Sequence, residues 1–320
     1  MRYIVPKRLR PGSRVALVAP ASPFMSDEVF EGMSLMREVG LVPVLGPCVK
    51  NLRSDNIHAA SVSDRVAELN WAFRDASVAG IFAVCGGMGS AALLPWLDYR
   101  AIRISQKPFL GMSDITALNM GILAKAGLIS INGQSPSIRL DHGSKIQDAD
   151  SRSFELTLQL LMSGDPWNNR PFSFNEYFPR TVCSGEASGV AVGGNIDTFV
   201  HLIGTQYLPD LTGAIFFGED VHKSGEVLGR EFLHMHLAGI LQQVNGVVLG
   251  DFVEVPKRTG DMEPSVENMI EEHFACGVPC SYGYPFSHGP LTGPVPMGAD
   301  CAMSADSNYT GEVSFDFRMA

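Results

Sequence analysis

Five short, unbroken apolar runs alternate with helix-length segments in the first part of the chain, and this alternation restricts the fold more than any other feature. The runs are VALVA at 15–19, LVPVLG at 41–46, GIFAVC at 80–85, PFLGM at 108–112 and LISIN at 128–132. A strand covered on both faces is apolar throughout, whereas a half-covered one alternates. The intervening stretches have helical spacing. One starts near Ser26, places Val29, Met33 and Met36 on one side and stops at Gly40. Another opens with capping-box spacing at Ser61 and Asp64 and carries Val66, Leu69 and Phe73 on one face. SAALLPWL at 90–97 and ITALNMGILAKAG at 115–127 also read as helices. Strands and helices in this order predict a parallel, doubly wound sheet with right-handed crossovers.

A closing helix is expected over 151–162, with Phe154, Leu158 and Leu161 on one stripe. The Pro-, Asn- and aromatic-rich GDPWNNRPFSFNEYFPR follows without periodicity, as a linker would. Beyond it come the Gly-rich GEASGVAVGGN, a short helix, a strand AIFFGED, a helix over 226–242, a strand GVVLGDFVEV and a helix opened by Pro264. The expected organisation is an α/β chain: an N-terminal doubly wound parallel-sheet domain over 1–165, a linker over 166–180 and a mixed α+β C-terminal domain over 181–320.

Charge and composition remove several function classes. A net charge of -10 with no basic stripe does not suit a nucleic-acid partner. Ser77 to Leu97 is uncharged and long enough to span a bilayer, but Gly80, Gly86, Gly87, Gly89 and Pro95 suit a strand, a turn and a helix instead. The N-terminal apolar run is broken by Pro and Gly without a signal-peptide pattern, so a cytoplasmic location is expected, with no membrane partner. Six cysteines form no CxxC pair and read as reduced core thiols. HExxH is absent, Cys276 and Cys280 have no second pair, and His234-Met235-His236 is too little alone, so no metal or other cofactor is expected.

Two turns carry the candidate chemistry. In KPFLGMSDITAL, Ser113 stands between a strand and a helix, where a sharp turn can expose a nucleophilic hydroxyl beside a helix N-terminus. Ser113 and Asp114 are equally ordinary helix N-cap residues. The glycine turn Gly86-Gly87-Met88-Gly89 follows the preceding strand and can bring backbone N–H groups close to a ligand. Residues 87–92 also fit G-x-G-x-x-A, but the turn is not in the first βα unit, and Asp114 lies too far along to be the ribose-binding acid.

A serine nucleophile needs a base and an orienting acid. Most of the eight histidines sit in helix-like or polar stretches. His222 follows a carboxylate pair, and His288 lies in the Pro- and Gly-rich loop YPFSHGPLTGPVPMG, where an imidazole is often positioned for work. Glu219 and Asp220 end an apolar strand, either as rim residues in water or as an orienting acid. Ser113, Glu219, His288 is the chain order of α/β-hydrolases, although Ile115 stands where their elbow has its second glycine.

Taken together, LRPGSRVALVAPASP, DRVAELNWAFRD, GGMGSAALLPWLDY, GMSDITAL, GGNIDTFVHLIGTQYLPDLTGAIFFGED, GVVLGDF and GYPFSHGPLTGPVPMG resemble the LD-carboxypeptidase family of serine peptidases, which includes muramoyl-tetrapeptide carboxypeptidases and microcin C immunity hydrolases. The resemblance implies Ser113 as nucleophile, Glu219 as acid and His288 as base. It also implies a site where the two halves meet, a homodimer, and release of D-alanine from a murein tetrapeptide at an L,D peptide bond. The oxyanion would be held by the backbone N–H groups of Asp114 and Gly87. Gly86, Met88, Gly89 and Arg230 are the expected substrate contacts. Cys85 stands where many relatives carry Arg, and Ser287 where they carry Gly. Arg230, Lys223, Lys257 and Arg258 are therefore the alternative cations for a substrate carboxylate. The second reading is an immunity hydrolase acting on a peptidyl-nucleotide, with Trp167 stacking on a purine. A third is a non-catalytic nucleotide or muropeptide sensor.

Overall fold

The computed structural model describes residues 3–52, 54–138, 145–163, 179–255, 265–274, 277–306 and 311–319. The first part runs β1 (Arg14–Val18), α1 (Ser26–Glu38), β2 (Val42–Leu45), the single turn α2 (Pro47–Lys50), α3 (Val62–Arg74), β3 (Gly80–Ala83), α4 (Tyr99–Ser105), β4 (Phe109–Leu110), α5 (Thr116–Ala126) and β5 (Ser130–Asn132). After α6 (Lys145–Ser163) come β6 (Arg180–Cys183), β7 (Gly185–Asn195), α7 (Ile196–Val200), β8 (Ile215–Val221), α8 (Gly225–Leu237), β9 (Gly246–Val253) and α9 (Val266–Phe274). The chain ends with β10 (Cys280–Tyr284), β11 (Val295–Met297), β12 (Asp300–Ala305) and β13 (Gly311–Asp316).

Two sheets result. In the first, β2-β1-β3-β4-β5 are parallel; β1 beyond Arg14, β3, β4 and β5 are buried, as the continuous runs lead one to expect, whereas the edge strand β2 is partly exposed. β11 adds an antiparallel edge beside β5, so a segment from the far end of the chain completes this sheet. In the second, β7-β8-β9-β10 are parallel, with β6 on one edge and β12 then β13 on the other, each of these antiparallel to the strand it adds to. The architecture is the expected mixed α/β one. Most of the expected linker and Pro264 lie outside the described residues.

Four local expectations need correction. SAALLPWL forms a 3-10 helix over Ser90–Trp96, because Pro95 has no N–H to give an α-helical ladder. The helix expected over 226–242 ends at Leu237, where Gly239 at φ +72° turns the chain left-handed. α6 starts before Ser151. In α3 the buried face holds Leu69 and Phe73 but also Arg65 and Glu68, both 1% exposed, while Val66 is half-buried.

α5 joins the two sheets. Apart from Lys125 and Ala124, its residues are buried, and a helix apolar on all sides belongs between layers rather than on a surface. Its Leu118, Met120, Ile122 and Leu123 share one core with Val192, Phe216 and Phe217 of the second sheet. The closest approach is at Gly194, at φ +131°, against Thr116. There the Asn195 N–H donates to Thr116 Oγ1 at 3.0 Å. A Cβ on Gly194 would collide with the Thr116 side chain and strain the backbone as well. Gly194→Ala should therefore lower unfolding free energy by about 1–3 kcal/mol, read by urea denaturation with unchanged m-value.

Candidate active site

The strand order 2-1-3-4-5 reverses between β1 and β3, and ligands of such sheets bind outside the carboxyl ends at that point. The loops after β1, β3 and β4 meet there. Ser22 N–H donates to Gly86 O at 3.2 Å, and Met88 N–H to Ser22 Oγ at 3.0 Å. The buried Arg65 guanidinium donates to Pro20 O at 2.7 Å, Gly89 O at 3.1 Å and Ala60 O at 3.0 Å. One cation thus ties the first loop to the glycine turn. Glu68, a turn further on, accepts N–H bonds from Ala19 at 2.8 Å and Cys48 at 2.7 Å, while burial pushes its carboxyl up to about 6.

Ser113 sits at the apex after β4 with φ +62°, a left-handed conformation that costs a non-glycine residue roughly 1–2 kcal/mol. Neither Ser113 nor Asp114 caps the following helix, whose N-cap makes no side-chain bond. Asp114 instead reaches across to the glycine turn. Its Oδ2 accepts the Ser90 N–H at 2.8 Å, and its carbonyl accepts the Ser90 hydroxyl at 2.6 Å. Gly86 lies flush against the serine, since a Cβ there would stand 2.7 Å from Ser113 Cβ and 3.1 Å from Oγ.

The second sheet supplies the other wall. Asn195 ends β7, Glu219 lies near the end of β8, Asp251 near the end of β9, and His288 in the loop after β10. The β8–β9 register slips beside Glu219, and the β9–β10 register slips one strand over. Such bulges re-aim side chains. Gly250 makes room here, since its added Cβ would come within 3.2 Å of Glu219 Cβ, Ser287 Cβ and Tyr284 O. His288 Nδ1 lies 2.7 Å from Glu219 Oε2, the carboxylate being 2% and the imidazole 23% exposed. With Nδ1–H donating to that carboxylate, Nε2 is left as the basic nitrogen.

The loop is held at several points. Ser287 Oγ accepts the Gly289 N–H at 3.1 Å and donates to Asp251 Oδ2 at 3.4 Å, and Thr292 Oγ1 donates to Ser287 O at 2.6 Å. Asp220 turns away from His288. It accepts from Asn195 Nδ2 at 3.0 Å, Asp197 N at 3.0 Å and Val221 N at 2.8 Å, and burial beside Glu219 pushes it up to about 6. Sequence reasoning missed Arg65, Glu68, Asn195 and Asp251. The first two lie at helical spacing with Leu69 and Ala72, but nothing in the local pattern marks those charges as buried.

Ser113 and His288 line one cleft of about 390 Å³, with Gly86, Gly87, Cys85 and Ser22 from the first sheet and His222, Glu254 and Gly289 from the second. His222 at φ +58° and Glu254 at φ +53° pair at 2.9 Å on its rim. No Lys or Arg occurs in this lining among the described residues. Met88, 60% exposed, and Gly89, packed against His58, stand outside it. Arg230 lies in a separate depression with Asp197, His201 and Glu231, and Lys223 pairs with Asp197 at 2.6 Å. Burial pushes the Cys85 thiol up to about 12, and it donates to Ser22 O at 3.3 Å. Trp167, Lys257 and Arg258 lie outside the described residues. No group of three or more metal-ligating side chains occurs among the described residues, and no helix there is long and apolar enough to cross a membrane.

Comparison with known proteins gives matches that cover both sheets. Residues 15–133 match the LD-carboxypeptidase N-terminal domain, and residues 188–303 the LD-carboxypeptidase C-terminal domain. The chain is 29% identical over 302 residues to a Bacillus subtilis protein named "Probable murein peptide carboxypeptidase", covering 93% of this chain and 91% of that one. It is 28% identical over 308 residues to the Escherichia coli microcin C7 self-immunity protein, covering 90% and 89%. A solved structure of MccF in complex with glutamyl sulfamoyl guanosine has the same fold, with TM-score 0.85 at 22% identity over 99% of this chain and 100% of that one.

The Asp114–Ser90 contacts tie the two turns of the first sheet together. Asp114→Ala should cost about 1–2 kcal/mol of unfolding free energy, measured by chemical denaturation, because the Ser90 N–H loses its acceptor.

Proposed function

This chain belongs to the LD-carboxypeptidase family, and on that premise we propose that it is a cytoplasmic serine carboxypeptidase that cleaves an L,D peptide bond and releases the terminal D-alanine of a murein tetrapeptide. The observation that carries the reading is the 2.7 Å contact of His288 Nδ1 with Glu219 in the cleft that Ser113 also lines. Ser113 Oγ attacks the scissile carbonyl as His288 Nε2 takes its proton. Glu219 holds the imidazole in that tautomer and stabilises the imidazolium. The imidazolium then protonates the departing amine of D-alanine, and a water deprotonated by the same nitrogen hydrolyses the acyl-serine. The backbone N–H groups of Asp114 and Gly87 receive the oxyanion, a donor of this kind being worth about 3 kcal/mol. No metal or cofactor enters the scheme. The working form is a homodimer, as the family resemblance implies.

A second reading keeps the three residues and changes the substrate. A free terminal carboxylate is best met by a cation, and none lines the cleft among the described residues. An amide in a peptidyl-nucleotide has no such requirement, and a self-immunity protein is among the relatives.

The two are separated by incubating the protein with L-Ala-γ-D-Glu-meso-diaminopimelyl-D-Ala and with a peptidyl-adenylate, following products by mass spectrometry. Release of D-alanine is expected, with Ser113→Ala slower by about 10,000-fold or more. Turnover of the adenylate alone supports the second reading. Activity that survives Ser113→Ala overturns both.

A further inference from the structure

The acid that contacts His288 belongs to a larger carboxyl cluster. Asn195 Nδ2 bridges Glu219 Oε1 at 3.4 Å and Asp220 Oδ1 at 3.0 Å, and Asp197 N–H donates to Asp220 Oδ2 at 3.0 Å. Lys223 Nζ donates to Asp197 Oδ2 at 2.6 Å. Behind that pair stands Glu231 on α8, only 7% exposed and lining the same depression as Asp197. Glu231 Oε2 is buried and meets no N–H or O–H donor among the described residues. Two carboxylates offer acceptors only, so a bond between Glu231 and Asp197 needs a proton between them. The charge balance agrees. Glu219, Asp220, Asp197 and Glu231 share one close ammonium, and buried acids in such excess do not all ionise.

We propose that Glu231 is a positioning residue for the reaction: its protonated carboxyl donates to Asp197 and so fixes the Asp197–Lys223 pair, which is joined to Glu219 through Asp220 and Asn195. Burial, with Asp220 and Asp197 facing it, pushes the Glu231 carboxyl up to about 8, while Lys223 opposes the shift. His201, at the C-cap of α7, has its Nδ1 3.5 Å from Asp197 Oδ1, and Arg230 and His234 of α8 share the outer depression with Glu231. From α9, His273 packs against Phe232, and from β9, Asp251 faces Glu219. Loss of the Glu231 proton breaks its bond to Asp197 and adds a negative charge next to Asp220. The expected result is an alkaline fall in kcat/KM that belongs to this residue.

Glu231→Gln keeps a donor to Asp197 without a titrating proton; Glu231→Ala keeps neither. The kinetic test rests on the serine-carboxypeptidase reading, so a readout independent of activity accompanies it. In infrared spectra of the whole protein at neutral pH, a protonated-carboxyl C=O band is expected, and it disappears in Glu231→Gln. The sign for stability follows from the raised pKa. The proton's contribution is complete below the unfolded value near 4.3 and is lost as pH rises through about 8, so native Tm should fall across that window more than Tm of Glu231→Gln. In kinetics, Glu231→Gln should stay within about threefold of native kcat/KM at neutral pH with its alkaline limb moved upward, and Glu231→Ala should lose about tenfold. An infrared band unchanged in Glu231→Gln overturns the proposal whatever the substrate. So does a Gln variant with the native pH profile, or one as impaired as the Ala variant.

Discussion

The buried helix α5 is the constraint on which the rest depends. It leaves the first sheet at Ser113 and Asp114, passes under the second sheet at Gly194, and contributes side chains to a core shared by both. Fully burying residues such as Leu118, Met120, Ile122 and Leu123 is worth roughly 1.5–3 kcal/mol each, so the two sheets do not separate without losing that burial. The Thr116–Asn195 bond adds direction to that contact. It sets the start of α5 against the end of β7, the strand next to the one that carries Glu219. The geometry at the cleft follows from packing several residues away.

Polar groups then fix the details inside that frame. Arg65, Glu68 and Asp114 hold loops of the first sheet, whereas Asn195, Asp220, Ser287 and Thr292 hold those of the second. Each is buried or half-buried and has partners, because an unpaired buried polar group costs about 1–3 kcal/mol. Of the non-glycine residues at positive φ among the described residues, Ser113, His222 and Glu254 line the cleft, and Asn56 and Gln106 do not. Strain at these places is sustained only by surroundings that leave no alternative.

How much of this was legible in the sequence depends on the range of the interaction. Strands buried on both faces announce themselves as continuous apolar runs, so VALVA and GIFAVC fall where β1 and β3 form, and GGMG and GMSD fall on turns at the carboxyl edge. Pairings between distant segments leave no such signature. β11 joining β5, the bulge that aims Glu219, and Gly194 against Thr116 are consequences of assembly rather than of local pattern. Arg65 and Glu68 were hidden for another reason. Charged residues on a helix are assigned to water by default, and only the tertiary fold supplies the carbonyls and N–H groups that make their burial tolerable. The residues grouped at the cleft were legible in part: Ser113, Gly86, Gly87 and His288 line it and Glu219 contacts His288, whereas Met88, Gly89 and Arg230 stand outside it.

The central claim is that a serine from one sheet shares a cleft with a histidine–carboxylate pair from the other, and the proposed consequence is a nucleophilic hydroxyl. Reaction with a fluorophosphonate, mapped by peptide mass spectrometry, reads this without assuming a substrate. The account predicts modification at Ser113, greatly slowed in folded His288→Ala and Glu219→Gln variants. Modification at another residue, or at Ser113 with undiminished rate in His288→Ala, would contradict it.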